Sequence, residues 1–368
     1  MKIGIYTQPL HINYGGILQA YALQTILQRM GHEVFVLKKD HKQQLPIIKW
    51  PYSYPKRLIK KYILKENSLI FYEQFLNKTY KIVGKNTLKF IDTYINNIPL
   101  KKLRDGNLDL IIVGSDQVWR PIYNKPIEQS FLDFTNNWNI TRIAYAASFG
   151  TDKWEFNNKQ TKKCKELIKN FKAVSVREFS GVRLCQTYFN IEAKHVLDPT
   201  MLLEKKDYMN LYINKNIPKS KGDLLVYILD ESPQKTKLIT TIAKNKNLTP
   251  FKVNSLVENL YAPIEQRVQP PVEEWLKGFE EAKLIITDSF HACVFSIIFN
   301  KPFIVYGNKS RGYSRFVSLL NDFNLNERLI TNEKEAMQLP DEIDWNNINK
   351  KWEYLKTLSL SFLEKNIL

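Results

Sequence analysis

Short apolar strands alternate with helical stretches along most of the 368-residue chain, and that alternation leaves few folds open. KIGIY at 2–6 reads as a strand. It is followed by a loop, a helical run at 16–30 and a second apolar strand at 33–37. Further strands are expected at 108–113, 142–147, 173–176 and 195–197, so one doubly wound domain spans residues 1–205. After the polar, Lys-rich stretch 214–222 the rhythm restarts. Strands at 224–229, 250–253, 284–287 and 302–306 alternate with helices at 234–244, 272–281 and 292–299, which predicts a second Rossmann-like domain over 206–335. The remaining segment, 336–368, carries a helical pattern at 345–363 with the reach to cross back to the first domain. A chain of this length suits two domains of about 150 to 200 residues, and 44% hydrophobic residues place both among folded proteins.

Two such domains in tandem face each other with the C-terminal edges of their strands, where α/β proteins bind ligands. Residues just past strand ends are therefore the ones to weigh. In LIITDSFHACVFSIIF the strand stops at Asp288, and Ser289 and Phe290 lead into His291 in the first turn of an apolar helix. Unpaired backbone N–H groups and the positive end of the helix dipole gather there, so an anion can be held beside an imidazole. Asp288 reads as a structural residue that ends the strand and caps the helix. On its own the pattern is also that of a capped helix start with a packed histidine.

Downstream, KPFIVYGNKSRGYSRF places Lys309, Arg311 and Arg315 after the next strand, with Gly312 suited to an unusual turn or a close backbone approach. The arginine fork matches carboxylate or phosphate. Arg177, directly after AVSV, can face the same cleft from the first domain or pair with Glu178 or another acid. On that side NYGG sets Asn13, Tyr14, Gly15 and Gly16 between strand and helix, without the GxGxxG spacing of a dinucleotide site. VGSDQVWR places Ser115, Asp116 and Gln117 where sugar hydroxyls could be read, and Trp119 either on a sugar face or in the core. His11, His32, His41 and His195 have no metal-ligand spacing and no Walker, HExxH, GxSxG or kinase signature occurs, so no metal is expected.

The formal net charge of +17 favours anionic partners without choosing among nucleic acid, anionic membrane surface and small anionic substrates. Basic residues interleaved with apolar ones at 56–65 and 159–172 fit either a solvated helix face or a surface that meets lipid phosphate. Cys164, Cys185 and Cys293 are widely spaced and read as reduced thiols. With no apolar run of spanning length and no secretory leader pattern, the expected location is cytoplasmic, with room for a peripheral place at the inner membrane face.

Taken in order, NYGGILQAYALQ, VGSDQVWR, AYAASFG, SVRE, VLDPTMLL, TDSFHACVFSIIFNKPFI and SRGYSRFVSLL resemble the polysaccharide pyruvyl transferases over roughly residues 1–330. The resemblance implies two Rossmann-like domains facing across a cleft in the GT-B manner. It also implies transfer of a carboxyvinyl-derived unit from phosphoenolpyruvate to a sugar, giving a cyclic pyruvate ketal, with phosphoenolpyruvate as co-substrate and no cofactor. By that resemblance His291 matches the acid/base histidine, Arg177 and Arg311 match positive residues assigned to phosphoenolpyruvate, and Ser289 and Phe290 adjoin the donor. Some relatives carry Arg where Ser289 stands here, so only backbone or hydroxyl contact is implied at that position. Asn13, Tyr14, Asp116 and Gln117 are expected on the acceptor side, and the basic surface suits an acceptor carried on a polyprenyl diphosphate. Two rival readings stand beside this one. A nucleotide-sugar-dependent GT-B glycosyltransferase would share the architecture. A non-catalytic binder of anionic glycan or nucleic acid calls for a basic stripe with exposed aromatics, whereas the basic residues here are scattered, so no nucleic acid is expected.

Overall fold

The computed structural model describes residues 1–39, 43–307, 312–340 and 342–367. Their strands form two sheets in which every pairing is parallel. The first contains β1 (Lys2–Tyr6), β2 (Glu33–Lys38), β3 (Asn97–Pro99), β4 (Leu110–Val113), β5 (Thr141–Ala147), β6 (Ala173–Val176) and β7 (Lys194–His195). The second contains β8 (Leu224–Tyr227), β9 (Pro250–Phe251), β10 (Leu284–Thr287), β11 (Phe303–Tyr306) and β12 (Leu329–Ile330). Helices cover both faces of each sheet, so central strands are apolar throughout: LIIV in β4, LLVY in β8 and LIIT in β10 are buried at every residue.

Strand order places the site. The first sheet runs β3-β2-β1-β4-β5-β6-β7 and the second β12-β11-β10-β8-β9. Winding therefore reverses between β1 and β4 in the first sheet and between β8 and β10 in the second. At such a reversal neighbouring loops diverge and open a crevice at the C-terminal ends of the strands. The loops leaving β1 and β4 carry Asn13 and Asp116, and the loop leaving β10 carries Ser289 and leads into His291.

The central strands lie where the alternation predicts. The edge strands β3 and β12 do not announce themselves, because two or three residues cannot display a period of two. β7 falls at Lys194–His195 rather than 195–197. Between β2 and β3 the chain builds helices at Trp50–Leu58, Tyr72–Val83 and Lys85–Tyr94, of which the sequence pattern marks only the basic run at 56–65. Among the described residues no helix is long and apolar enough to cross a membrane.

One apolar core runs through both domains, joining Ile3 and Leu23 of the first to Trp275 and Phe295 of the second. Tyr14 is part of the join: it is fully buried, stacks on Trp275 with ring centroids 5.3 Å apart, and its hydroxyl donates to Pro270 O at 2.8 Å. The C-terminal helix Trp345–Ile367 packs on the first domain. There Trp352 Nε1 donates to Met201 O at 2.7 Å, Ser359 Oγ accepts from Leu197 N at 3.0 Å, and Phe362 meets the Tyr145 ring.

On the outer side of the join, His195 Nε2 of β7 lies 3.7 Å from Asp322 Oδ2, on the last residue of the helix Tyr313–Asp322. Burial pushes the Asp322 carboxyl up to about 7, with Lys351 opposing. Burial lowers His195, against a hydrogen bond to Arg177 O. A carboxyl raised on folding stabilises fully below its unfolded value, and that stability is lost as pH rises through the folded value. We expect the Asp322 contribution to fall between pH 3.8 and about 7. Asp322→Asn should flatten that part of the stability–pH curve in chemical denaturation and leave the variant more stable than wild type at pH 8; an unchanged curve would show that Asp322 is not the titrating group.

Candidate active site

His291 stands in the first turn of the nine-residue helix Phe290–Ile298. Ser289 takes the N-cap position but makes no side-chain cap, so the first N–H groups of this helix receive no side-chain acceptor from it. Asp288 does not cap the helix either, contrary to expectation. Its Oδ1 accepts from Leu229 N at 2.7 Å, while its Oδ2 accepts from Asp230 N at 3.1 Å and from Lys235 Nζ at 2.6 Å. The carboxylate points sideways to the loop after β8 because a buried ammonium, with Lys235 only 7% exposed, demands a buried anion.

The imidazole is pressed against the other domain. A Cβ added at Gly15, in the first turn of the helix Tyr14–Arg29, would lie 2.0 Å from His291 Nδ1. The glycine is therefore what lets the two domains close with the ring between them. His291 Nε2 lies 3.7 Å from Asp198 Oδ2 and makes no hydrogen bond among the described residues. A cleft cavity of about 390 Å³ opens on this face, lined by Asn13, Gly15, Ser289, His291 and Trp275 among others.

Behind His291 the charges alternate. Arg177 Nη1 donates to Asp198 Oδ2 at 2.5 Å, and its Nη2 donates to Asp116 Oδ1 at 3.3 Å. Arg315 Nη1, from the second domain, approaches the same Asp116 oxygen at 3.8 Å. The order of contacts, leaving the second domain, crossing the first and returning, is thus His291, Asp198, Arg177, Asp116, Arg315. The Phe290 ring lies against both guanidinium groups, 4.4 Å from Arg177 and 5.2 Å from Arg315. All of these side chains are buried, so the acids and guanidinium groups among them feel one another's charge strongly. Burial would raise Asp198, but Arg177 and His291 outweigh it and hold the carboxyl well below the usual range. Asp116 is likewise held low by Arg177, His291 and Arg315 against burial. Arg315, desolvated and beside Arg177, is pushed down to about 10. Glu178 is raised by burial; its Oε1 accepts from Ser148 Oγ and from the backbone N–H of Phe149 and Gly150.

The structure brings His291, Ser289, Phe290, Arg177 and Asp116 together, with Asn13 on the cavity wall. Arg311, with Lys309, lies outside the described residues. Asn13 also caps its helix by accepting from Gly16 N. Gln117 Oε1 accepts from Arg120 Nη1 and lines neither this cavity nor the larger one of about 900 Å³ beyond Arg315. Trp119 stacks on no sugar: it is fully buried on Phe131, and its Nε1 donates to Ser130 O. Gly312 takes φ +83° and a Cβ there would lie 2.5 Å from Gly150 O, so this turn sits directly on the first domain.

Asp198 is the residue that sequence reasoning passed over. The signal for it is the run Asp-Pro-Thr directly after a strand. Asp198 Oδ1 caps the following turn by accepting from Thr200 N and Thr200 Oγ1, while Oδ2 accepts from Arg177 Nη1 and from Ser115 Oγ at 3.2 Å and is approached by His291.

Solved structures match over nearly the whole chain. They include Arabidopsis thaliana UGT89C1 complexed with UDP-L-rhamnose (TM-score 0.50, 9% identity, 98% of this chain and 97% of that one). UDP-GlcNAc 2-epimerase from Neisseria meningitidis bound to UDP-GlcNAc also matches (TM-score 0.47, 10% identity, 98% and 94%). At these identities the likeness concerns the fold, which is GT-B-like. No curated protein matches. The family model described as polysaccharide pyruvyl transferase matches residues 13–310.

Two outcomes follow from the geometry. Gly15→Ala should destabilise the protein by roughly 1–3 kcal/mol through overpacking, and most of that cost should vanish in a His291→Ala background. A denaturation double-mutant cycle with no coupling would show that the ring does not press on position 15. Asp198→Asn withdraws the nearest counter-charge of a buried guanidinium and should cost about 3–5 kcal/mol in urea unfolding.

Proposed function

The chain belongs to the polysaccharide pyruvyl transferase family, and on that premise we propose that it moves pyruvate from phosphoenolpyruvate to a sugar of a polysaccharide or its lipid-linked precursor, closing a cyclic ketal. The observation that carries this reading is the imidazole of His291, set at a helix N-terminus on a cleft wall and backed by Asp198.

The chemistry calls for such a group. The methylene carbon of the enol phosphate gains a proton and C2 becomes electron-poor. One sugar hydroxyl attacks C2, phosphate leaves with the C2–O bond pair, and a second hydroxyl closes the ketal as its proton is taken up. Each molecule of donor and diol gives one ketal and one phosphate. His291 is the group we assign to the proton transfers, with Asp198 stabilising the imidazolium that forms between them. The uncapped N–H groups after Ser289 supply positive potential for an anion.

Arg177 and Arg311 are assigned to the donor's carboxylate and phosphate. Arg177 is held by two carboxylates, so reaching the donor means giving up the weaker contact, the 3.3 Å one to Asp116. On the acceptor side Asn13 is the favoured contact, because of the four residues expected there it alone lines the His291 cavity. Tyr14 is committed to the domain join, Asp116 to the charge chain and Gln117 to Arg120.

Incubation with phosphoenolpyruvate and a panel of acceptors that includes lipid-linked hexoses should release phosphate and add one pyruvate ketal in mass to an acceptor. Transfer from a nucleotide sugar in its place would overturn the reading. His291→Ala should lower turnover about 100- to 10,000-fold, and near-normal turnover in that variant would remove His291 from the mechanism.

A further inference from the structure

Between β2 and β3, residues 47–65 read IIKWPYSYPKRLIKKYILK, with Lys49, Lys56, Arg57, Lys60, Lys61 and Lys65 and no acidic residue. The segment is helical from Ile47 through Ile63, and no residue of it is buried. One face is anchored. Arg57 donates to both Glu73 oxygens, at 2.9 and 2.7 Å, and to Ile70 O at 2.9 Å, while Tyr54 packs between Trp50 and Phe71. The other face is apolar and open: Ile48 is 81% exposed, Tyr52 79%, Ile59 47%, Tyr62 66% and Ile63 71%. A solvated helix has no use for that row, and a contiguous exposed apolar patch of this kind marks a contact surface.

We propose that this arm docks the protein on an anionic phospholipid surface, the apolar row entering the headgroup boundary while the lysines meet lipid phosphate. Charge complementarity selects that occupant. A second copy related by two-fold symmetry would set the same net-basic segment against itself, with Lys60 offset by Glu66 at 2.9 Å but Lys49, Lys56, Lys61 and Lys65 adding like charge, which repels. A bilayer bearing anionic headgroups offers both an apolar layer and many negative charges at one depth, the combination that interfacial helices rich in Lys, Trp and Tyr exploit.

The arm's place in the fold gives the docking a use. It is tied at Glu73 to the helix Tyr72–Val83, and Val83 O at that helix's far end accepts from Gln269 N at 2.8 Å. Gln269 lines the His291 cavity, and ten residues of helix span about 15 Å. Docking thus holds the cleft at short range from the lipid surface, where a lipid-carried acceptor would be presented.

Co-sedimentation with vesicles tests this and reads binding alone, so its failure would leave the transfer chemistry untouched. We expect binding to mixed phosphatidylglycerol–phosphatidylcholine vesicles that weakens with salt and is much poorer with phosphatidylcholine alone. The triple variants Ile48→Glu/Ile59→Glu/Ile63→Glu and Lys56→Gln/Lys60→Gln/Lys61→Gln should each lose affinity, the second on the order of a hundredfold. Far-UV circular dichroism should be unchanged, and should the glutamate variant misfold, the glutamine variant carries the test. No binding to anionic vesicles, or undiminished binding by the variants, overturns the proposal. So does a wild-type dimer that either triple variant converts to monomer, since the face would then be an interface between copies.

Discussion

The alternating chain His291, Asp198, Arg177, Asp116, Arg315 is the interaction on which the arrangement of this protein depends. Its two ends belong to the second domain and its three inner members to the first. Unit charges about 4 Å apart attract by roughly 4 kcal/mol at an effective dielectric of 20, and each buried ion costs several kcal/mol to desolvate. The array therefore adds little net stability. Its effect is on uniqueness: any closure of the domains that leaves one member without its neighbours strands a buried charge. The apolar core supplies the stability, and the charges decide how the two halves meet.

That closure delivers the imidazole to the cleft. The helix bearing His291 is fixed from below by Asp288, whose carboxylate ties the end of β10 to the loop after β8 through two backbone N–H groups and Lys235. It is fixed from across the cleft by Gly15, where the absent Cβ is the space the ring occupies. With both constraints in place, Nε2 is aimed at Asp198 and the cavity lies alongside. Two switch points, one in each sheet, thus converge on a single side chain.

Much of the fold was legible in the amino-acid sequence, because a parallel strand covered on both faces is an uninterrupted apolar run and a run of four or more residues stands out. The edge strands β3 and β12 and the helices Tyr72–Val83 and Lys85–Tyr94 were not read, whereas the equally short β7 and β9 were found within a residue or two of their places. Within the site, His291 and Arg177 were legible because each stands within four residues of the end of an apolar strand. Asp198 was not singled out, since an acid before Pro-Thr reads as an ordinary turn cap, and capping occupies only one of its two oxygens. Trp119 shows the opposite error: a tryptophan beside a polar loop invites a stacking role, but burial on Phe131 gives it to the core.

By itself the sequence determined the two α/β units, the strand ends that meet at the cleft, the excess of positive charge and the family to which the chain belongs, all of which are local or cumulative properties of residues. Only the tertiary structure decided that Arg177 is held between two carboxylates and not left as an open clamp, that Tyr14 serves the domain join, and that the apolar side of the 47–65 arm faces outward. Those outcomes turn on which distant groups share a few ångströms. Coulomb attraction, desolvation and packing act through that separation in space, and spacing along the chain does not encode it.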